Sequence, residues 1–415
     1  MAFRTGFPMA SRMIFPVISC AAVVAASAVL AYANGSTGDY PFDAGPTIRA
    51  ILAGHVGDAL ANQPVMGSLS VLVRLPFAAL ASLTGGGELA AYRLGCIPCL
   101  VALGLAGLEL ARTMGRAGVG RGACAAAGAI CLINPLTWEA LRLGHPEELL
   151  GAAFVVVAAL YAVQGRSLAA GVALGLALAT KQWAAIAVVP VLAAAPVHRI
   201  RLGLVAFAVA AAMTAPVVLG DPNGFYGASR QAGWAGKRVY PFNAIWPLAP
   251  TEDRVISVGG DMSVVTVRVV PEWLAHLLHP AIVALTVPLT AAALYVRRRL
   301  RVEDVFALLA LAFLLRCLLD PVDNAYYHVP FVLSIAFWEG LAWRRVPLLA
   351  LLASLAVWFA FDKATMFDTH DLRNAVYLVV TVPFALSLFT AIFGRRDRSA
   401  GAGRRKLRPA TVAGG

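Results

Sequence analysis

The sequence predicts an all-α polytopic membrane protein, and three observations carry that expectation. Its 415 residues are 60% hydrophobic and only 13% charged, and the mean hydropathy is +0.76. The apolar residues gather into runs of about 17–23, the length an α-helix needs to cross a bilayer. In lipid the backbone must satisfy its own hydrogen bonds, so such spans are helices and not open strands. No long polar region is left to hold a separate soluble domain.

The apolar runs cover residues 14–33, 89–111, 119–135, 147–163, 167–180, 182–196, 200–220, 273–296, 303–319, 327–343, 346–361 and 372–394. They predict about twelve transmembrane helices in a single domain, residues 1–395. A further candidate, 65–84, contains Arg74 and Pro76. The positive-inside rule decides against it as a span. If it crosses, the loop with Arg112, Arg116 and Arg121 lies outside, and every later loop reverses. Left out, it allows Arg4, Arg12, Arg112–Arg121, Arg166, Arg199, Arg201, Arg297–Arg301, Arg344, Arg345 and the tail from Arg395 to share one side. The expectation is a plasma-membrane protein with both termini cytoplasmic and 65–84 as a juxtamembrane or re-entrant piece. The net charge of +12 then follows from topology and is no signal for nucleic acid. Residues 396–415 are basic and Gly-rich and read as a disordered cytoplasmic tail.

The first run ends in Ala31-Tyr32-Ala33, the form of a signal-peptidase site. It is long for a signal's apolar core, so an uncleaved first span is expected. Two external segments are long, 34–88 and 221–272. In the first, Ile48, Ile51, Leu52, Val56 and Leu60 share one face, the pattern of a helix lying in the interface, with Pro46 at its first position. All six cysteines fall in apolar runs. Cys96-Ile-Pro-Cys99 has redox spacing without a strand–helix context, so the cysteines read as small packing residues, arguing for neither metal nor disulfide.

In this topology the informative polar residues meet at the external face, where ionisable groups near membrane depth tend to line sites. Asp39 and Asp43 follow the first span, either as solvated loop residues or as the chemistry of the protein. Asn134, Glu139, Arg142, His145, Glu147 and Glu148 lie in "NPLTWEALRLGHPEE". The two glutamates open a helix behind Pro146, where acids favour the macrodipole, and His145 reads equally as a turn residue or a site residue. Lys181, followed by Gln182, sits where two runs leave almost no loop. It binds phosphate as a compact point charge or snorkels to headgroups. Arg230, Lys237 and Arg238 share the largest loop with Tyr226, Trp234 and Tyr240, a mixture that suits a lipid phosphate, a sugar or an interfacial anchor. "DPVDNAYYH" carries Asp320, Asp323, Asn324, Tyr326, Tyr327 and His328. The histidine is a candidate phosphate donor or proton carrier. No spacing resembles a zinc site. Carboxylates can hold a divalent ion, but no motif supports one.

The order of these features resembles the C-type glycosyltransferase superfamily of membrane enzymes, which use polyprenyl-phosphate-linked sugars on the outer face. The likeness begins with the first span and "DYPFDAGPTIRAILAGH". It continues in "NQPVMGSLSVLVRLPFAAL" and "GELAAYRLGCIPCLVALGLAGLELARTMG", where Pro64 and Arg93 take the places of a juxtamembrane proline and a span-initiating arginine. That part is similar to the aminoarabinose and protein mannosyltransferases. "GHPEELLGAAF" and "GLALATKQWAAIAVVPVL" look closer to actinobacterial polyprenyl-phosphomannose-dependent mannosyltransferases. The pattern covers most of residues 10–395. It departs at Ala44, where a second acid is usual, and at Gln63-Pro64, where Lys-Pro or His-Pro-Pro is usual.

The resemblance implies an inverting transferase, mannose favoured, acting on a lipid or glycan acceptor in the cell envelope. It implies Asp43 as general base, with Asp39 in reserve because Pro41 keeps both acids off one regular helical face. A hydroxyl is a poor nucleophile until a carboxylate takes its proton, and a departing phosphate needs cations. Lys181, Arg230, Arg238 and His328 are the candidates for the donor phosphate. His145, Glu147, Gln182, Trp234, Asn324 and Tyr327 are the candidates for acceptor or sugar. The donor is the polyprenyl-phosphate sugar itself, and no further cofactor is implied. The rival expectation is a transporter or flippase of lipid-linked sugars, but no repeat relates the two halves and the polar groups avoid the midplane.

Overall fold

A computed structural model describes residues 9–61, 67–233, 249–258, 261–363 and 370–394. The described helices are α1 (Met9–Ala33), α2 (Ala44–Leu52), α3 (Val56–Ala61), α4 (Ser68–Leu83), α5 (Glu88–Arg116), α6 (Arg121–Leu132), α7 (Pro135–Arg142), α8 (Pro146–Val163), α9 (Ser167–Thr180), α10 (Val188–Ala194), α11 (Arg199–Gly220), α12 (Pro222–Gly233), α13 (Glu272–Arg297), α14 (Val302–Leu319), α15 (Val329–Ala342), α16 (Leu348–Trp358) and α17 (His370–Phe393). Helix covers most of each of the twelve apolar runs. Six helical stretches, Glu88–Arg116, Arg121–Arg142, Pro146–Val163, Arg199–Gly220, Glu272–Arg297 and Leu372–Phe393, are long and apolar enough to cross a membrane, and shorter apolar helices accompany them.

Burial separates the interior of the bundle from its rim. In α8, 78% of the apolar window is covered by other parts of the chain, against 11% in α11 and 22% in the stretch of α17. An apolar helix left so uncovered in water would be unstable, whereas lipid tails solvate it. The centre is α8 with α14 and α15, which are buried continuously over Asp304–Leu314 and Val329–Gly340. The rim helix α11 joins the centre through α9. A Cβ on Gly171 or Gly175 would lie 2.7 or 2.6 Å from the carbonyls of Leu202 and Ala206, so this small-xxx-small pair lets the two backbones touch.

Two expectations are corrected. The interfacial helix of the first loop is two helices, α2 and α3, broken at Gly54 with φ +77°, a conformation that suits glycine. Helix α2 also begins at Ala44, so Pro46 is its third residue, still within the turn whose N–H groups have no helical partner. The 221–272 segment is more than loop. It contains α12 and an antiparallel hairpin, β1 (Thr251–Val258) and β2 (Asp261–Arg268), pairing Thr251 with Arg268 and Val258 with Asp261. "TEDRVISV" and "DMSVVTVR" are rich in β-branched residues yet too polar to register as apolar runs. Within the 65–84 segment, Ser68–Leu83 form α4, packed on α2, α5, α9 and α11, with Arg74 fully buried and Pro76 inside the helix. The Gln63-Pro64 element and the 396–415 tail lie outside the described residues.

Candidate active site

Two glycines bring the first loop against the turn before α8. Gly38 has φ +51° and Gly144 φ +93°. A Cβ on Gly144 would fall 2.5 Å from the Asp39 nitrogen, and one on Gly38 would collide with the Leu143 carbonyl. With neither present, the Asp39 N–H donates to the Leu143 carbonyl at 3.0 Å. That backbone join sets Asp39 beside His145. Farther back, Arg93 Nε donates to the Asn34 carbonyl at 2.7 Å and lies over the Tyr32 ring, holding the end of α1.

His145 is the hub. It is 6% exposed, and it donates from Nε2 to Asp39 Oδ2 at 3.1 Å and from Nδ1 to Glu147 Oε1 at 3.0 Å. Asp43 Oδ2 lies 3.9 Å from the same Nδ1. Burial opposes charge on the ring, but the bonds to Asp39 and Glu147 outweigh it and lift the imidazole to about 9. It is an imidazolium at neutral pH. The Tyr326 ring stacks on it, with centroids 4.4 Å apart.

The two aspartates are driven apart chemically. The hydrogen bond from His145 draws the exposed Asp39 below its ordinary range. Burial pushes Asp43 up, with Glu147 and Asp39 adding to the shift and His145 and Lys181 opposing it. Asp43 stands at the N-cap of α2, yet its side chain makes no capping hydrogen bond. An aspartate at that position ordinarily caps; this one leaves the role unused.

Beneath them, Glu147 and Glu148 open α8 fully buried. Lys181 Nζ lies 3.2 Å from Glu147 Oε1 and 3.2 Å from Glu148 Oε1. Its backbone is extended, φ −150°, between α9 and the 3-10 turn Gln182–Ala187, and this break turns the ammonium inward. The two glutamates raise the lysine against the effect of burial, so it is held as an ammonium. Arg74 Nη1 approaches Glu147 Oε2 at 3.5 Å, with its guanidinium 5.0 and 5.9 Å from the Tyr40 and Tyr92 ring centres. Four carboxylates and three cations thus interlock, which is how charge survives burial.

An apolar cavity of about 340 Å³ adjoins this network. Its walls come from α2, α3, α4, α9, α11 and α12, through residues such as Ile51, Val71, Leu178, Met213, Val217 and Phe225. Ala179 and Gln182, on either side of Lys181, also line it, as does Thr47, four residues past Asp43. The charged cluster and the cavity therefore share the helix break at Lys181 and the start of α2.

Other anticipated residues have different surroundings. His328 is fully buried, its Nδ1 on the Asn324 carbonyl at 3.3 Å and its Nε2 on the Tyr377 hydroxyl at 2.7 Å. Its surroundings are thus a carbonyl and a hydroxyl of the interior, away from the surface. Tyr327 sits under Arg316, 4.5 Å from guanidinium to ring centre, and Asn324 Nδ2 reaches the Tyr326 hydroxyl at 3.4 Å. Arg230 is exposed at the end of α12, beside cavity residue Ser229. Asn134 caps α7, accepting from Leu136 and Thr137. Trp234 and Arg238, with Lys237 and Tyr240, lie outside the described residues. Sequence reasoning passed over Arg74 and Arg316. Arg74 did carry a signal, a lone arginine in an apolar segment, but it argued only against a span.

Fold and site define a multi-pass helical membrane protein with a buried ionic cluster and an apolar cavity lined by sequence neighbours of that cluster. No protein-family model, curated protein or solved structure matches the chain.

Proposed function

We propose that the protein is a membrane glycosyltransferase that moves a sugar, mannose favoured, from a polyprenyl-phosphate donor to a hydroxyl of a lipid or glycan acceptor. The support is the separation of the two aspartates. Groups whose surroundings push their proton affinities apart are suited to distinct roles. Asp39 stays ionised and holds the imidazolium. Asp43, half-buried and more basic than an ordinary carboxylate, is fit to accept a proton. The acceptor O–H gives its proton to Asp43 while its oxygen forms a bond to the anomeric carbon. The bond from that carbon to the phosphate oxygen breaks, the polyprenyl phosphate leaves with the electron pair, and configuration inverts. Lys181, flanked by cavity residues, and Arg230, next to cavity residue Ser229, are the cations assigned to the phosphate. The apolar cavity receives the first isoprene units.

The test supplies the protein in lipid nanodiscs with radiolabelled polyprenyl-phosphomannose and an extract of envelope lipids and glycans. Transfer by the wild type and its loss in Asp43→Asn is the expected result. Full transfer by Asp43→Asn overturns the assignment of the base. Movement of the labelled lipid between leaflets of liposomes, without transfer, makes the protein a flippase.

A further inference from the structure

Cys317, Asp323 and His328 converge behind the charged cluster. One ligand atom from each, the thiol sulfur, a carboxylate oxygen and an imidazole nitrogen, lies within 4.8 Å of the others, and all three residues are buried. His328 Nε2 and Asp323 Oδ2 are 3.5 Å apart. We propose that these residues form a closed structural site for a borderline-soft divalent transition ion, zinc foremost, with the Tyr377 hydroxyl as the fourth group.

Three features point to a ligand. Asp323 Oδ1 accepts the Asn324 N–H at 2.9 Å, but among the described residues Oδ2 is buried with no well-formed hydrogen bond. The Tyr377 hydroxyl, which meets His328 Nε2 at 2.7 Å, also interacts with the Asp323 carboxylate, so one hydroxyl is shared by two acceptors. A buried carboxylate oxygen so poorly bonded is costly, and a cation in front of it removes the cost. Next, His328 Nδ1 is set to donate to the Asn324 carbonyl, which fixes the tautomer and aims the Nε2 lone pair into the cluster, the orientation that outer-shell partners impose on metal-binding histidines. Last, one thiolate, one imidazole and one carboxylate match the donor preference of zinc, not of magnesium or calcium. Zinc bonds to sulfur at about 2.3 Å and to nitrogen or oxygen at about 2.0–2.2 Å, so the cluster needs to close by roughly an ångström. Thiolate and carboxylate together balance the divalent charge.

The position gives the ion a task. Cys317 is in the last turn of α14, Asp323 in the loop that follows, His328 in the 3-10 turn Ala325–His328, and Tyr377 on α17. The loop so pinned is the one that lays Tyr326 on His145 and Tyr327 beneath Arg316.

The experiment expresses the full chain without a histidine tag in zinc- or cobalt-supplemented minimal medium, purifies it in detergent, and measures metal per chain by mass spectrometry. Expected are about one zinc per chain, a thiolate-to-cobalt charge-transfer band in the cobalt form, and loss of both in Cys317→Ser and Asp323→Asn. Because those variants can fail to fold, a second chain keeps Cys317 and replaces the other five cysteines by alanine; it should keep the band. Monodisperse wild type with no bound metal from either medium overturns the proposal. So does metal bound equally by a folded Cys317→Ser protein, or a band absent from the chain that keeps only Cys317.

Discussion

His145 Nε2 lies 3.1 Å from Asp39 Oδ2, and the opposite nitrogen of the same ring lies 3.0 Å from Glu147 Oε1. One imidazolium thus joins an exposed carboxylate of the first loop to a buried one of α8, and Asp43 lies 3.9 Å from the ring with no short side-chain bond among the described residues. Under the proposed chemistry, Asp43→Asn lowers turnover by about 10²–10⁴-fold, the usual scale of a lost general base. Asp39→Asn lowers it less and shifts the pH profile. Single-turnover assays of both variants across pH check the order, and a greater loss in Asp39→Asn reverses the two roles.

His145 also makes stability depend on pH. Its folded value of about 9 exceeds the ordinary 6.5, so the folded state binds the proton more tightly than the unfolded state. Its contribution is complete below about pH 6.5 and is lost as pH rises through about 9. Thermal melts of the protein in nanodiscs should show the midpoint falling over that interval, and the fall should flatten in His145→Gln. An equal fall in the variant assigns the effect to other groups.

Lys181 stands between Glu147 and Glu148 at 3.2 Å from each. Removing one partner of a buried pair costs about 3–5 kcal/mol because the other charge stays behind. Lys181→Met should therefore lower the melting temperature markedly, and adding Glu148→Gln should recover part of the loss. Additive losses in the double variant show that the two side chains do not share an interaction.

Gly144 is required by its φ of +93° and by the Asp39 nitrogen 2.5 Å from where a Cβ would sit. Gly144→Ala should cost about 1–3 kcal/mol, the range for a non-glycine residue held in such a conformation. Activity should fall further than the melting temperature explains, since the substitution moves Asp39 away from His145. Guanidinium unfolding and turnover measured on one preparation separate the two effects.

The cavity offers a test aimed at binding. Val217→Trp places a large ring among Ile51, Met213 and Phe225, which share the lining. The expected effect is a rise in KM for the polyprenyl donor with kcat little changed. Loss of kcat with KM unchanged moves the lipid chain elsewhere.

Much of the site was legible in the sequence because polar residues stand out in a chain this apolar. Asp39, Asp43, His145, Glu147 and Lys181 could each be picked out, and the structure places them in one network. Arg74 could not be assigned there, since its partner Glu147 is 73 residues away and no local period connects them. The surroundings of His328 were not legible either: sequence shows that it follows two tyrosines, but not that its Nε2 meets the Tyr377 hydroxyl, 49 residues away. Helix positions were legible for a physical reason, as lipid demands long apolar runs. The hairpin and the break at Gly54 answer to weaker demands made outside the apolar runs, and they left no comparable mark.

The backbone join between Asp39 and Leu143 also has a consequence for biogenesis. His145 is separated from Asp39 by 106 residues, which a ribosome adding about 5–20 residues per second makes in roughly 5–20 s. Through that interval the first loop has been delivered without the turn that receives it. The acids must wait in water or at the headgroups until α7 and the start of α8 arrive. A nascent chain arrested before residue 145 therefore exposes Asp39 and Asp43 to modification by carboxyl reagents, and one arrested well beyond it shields Asp43.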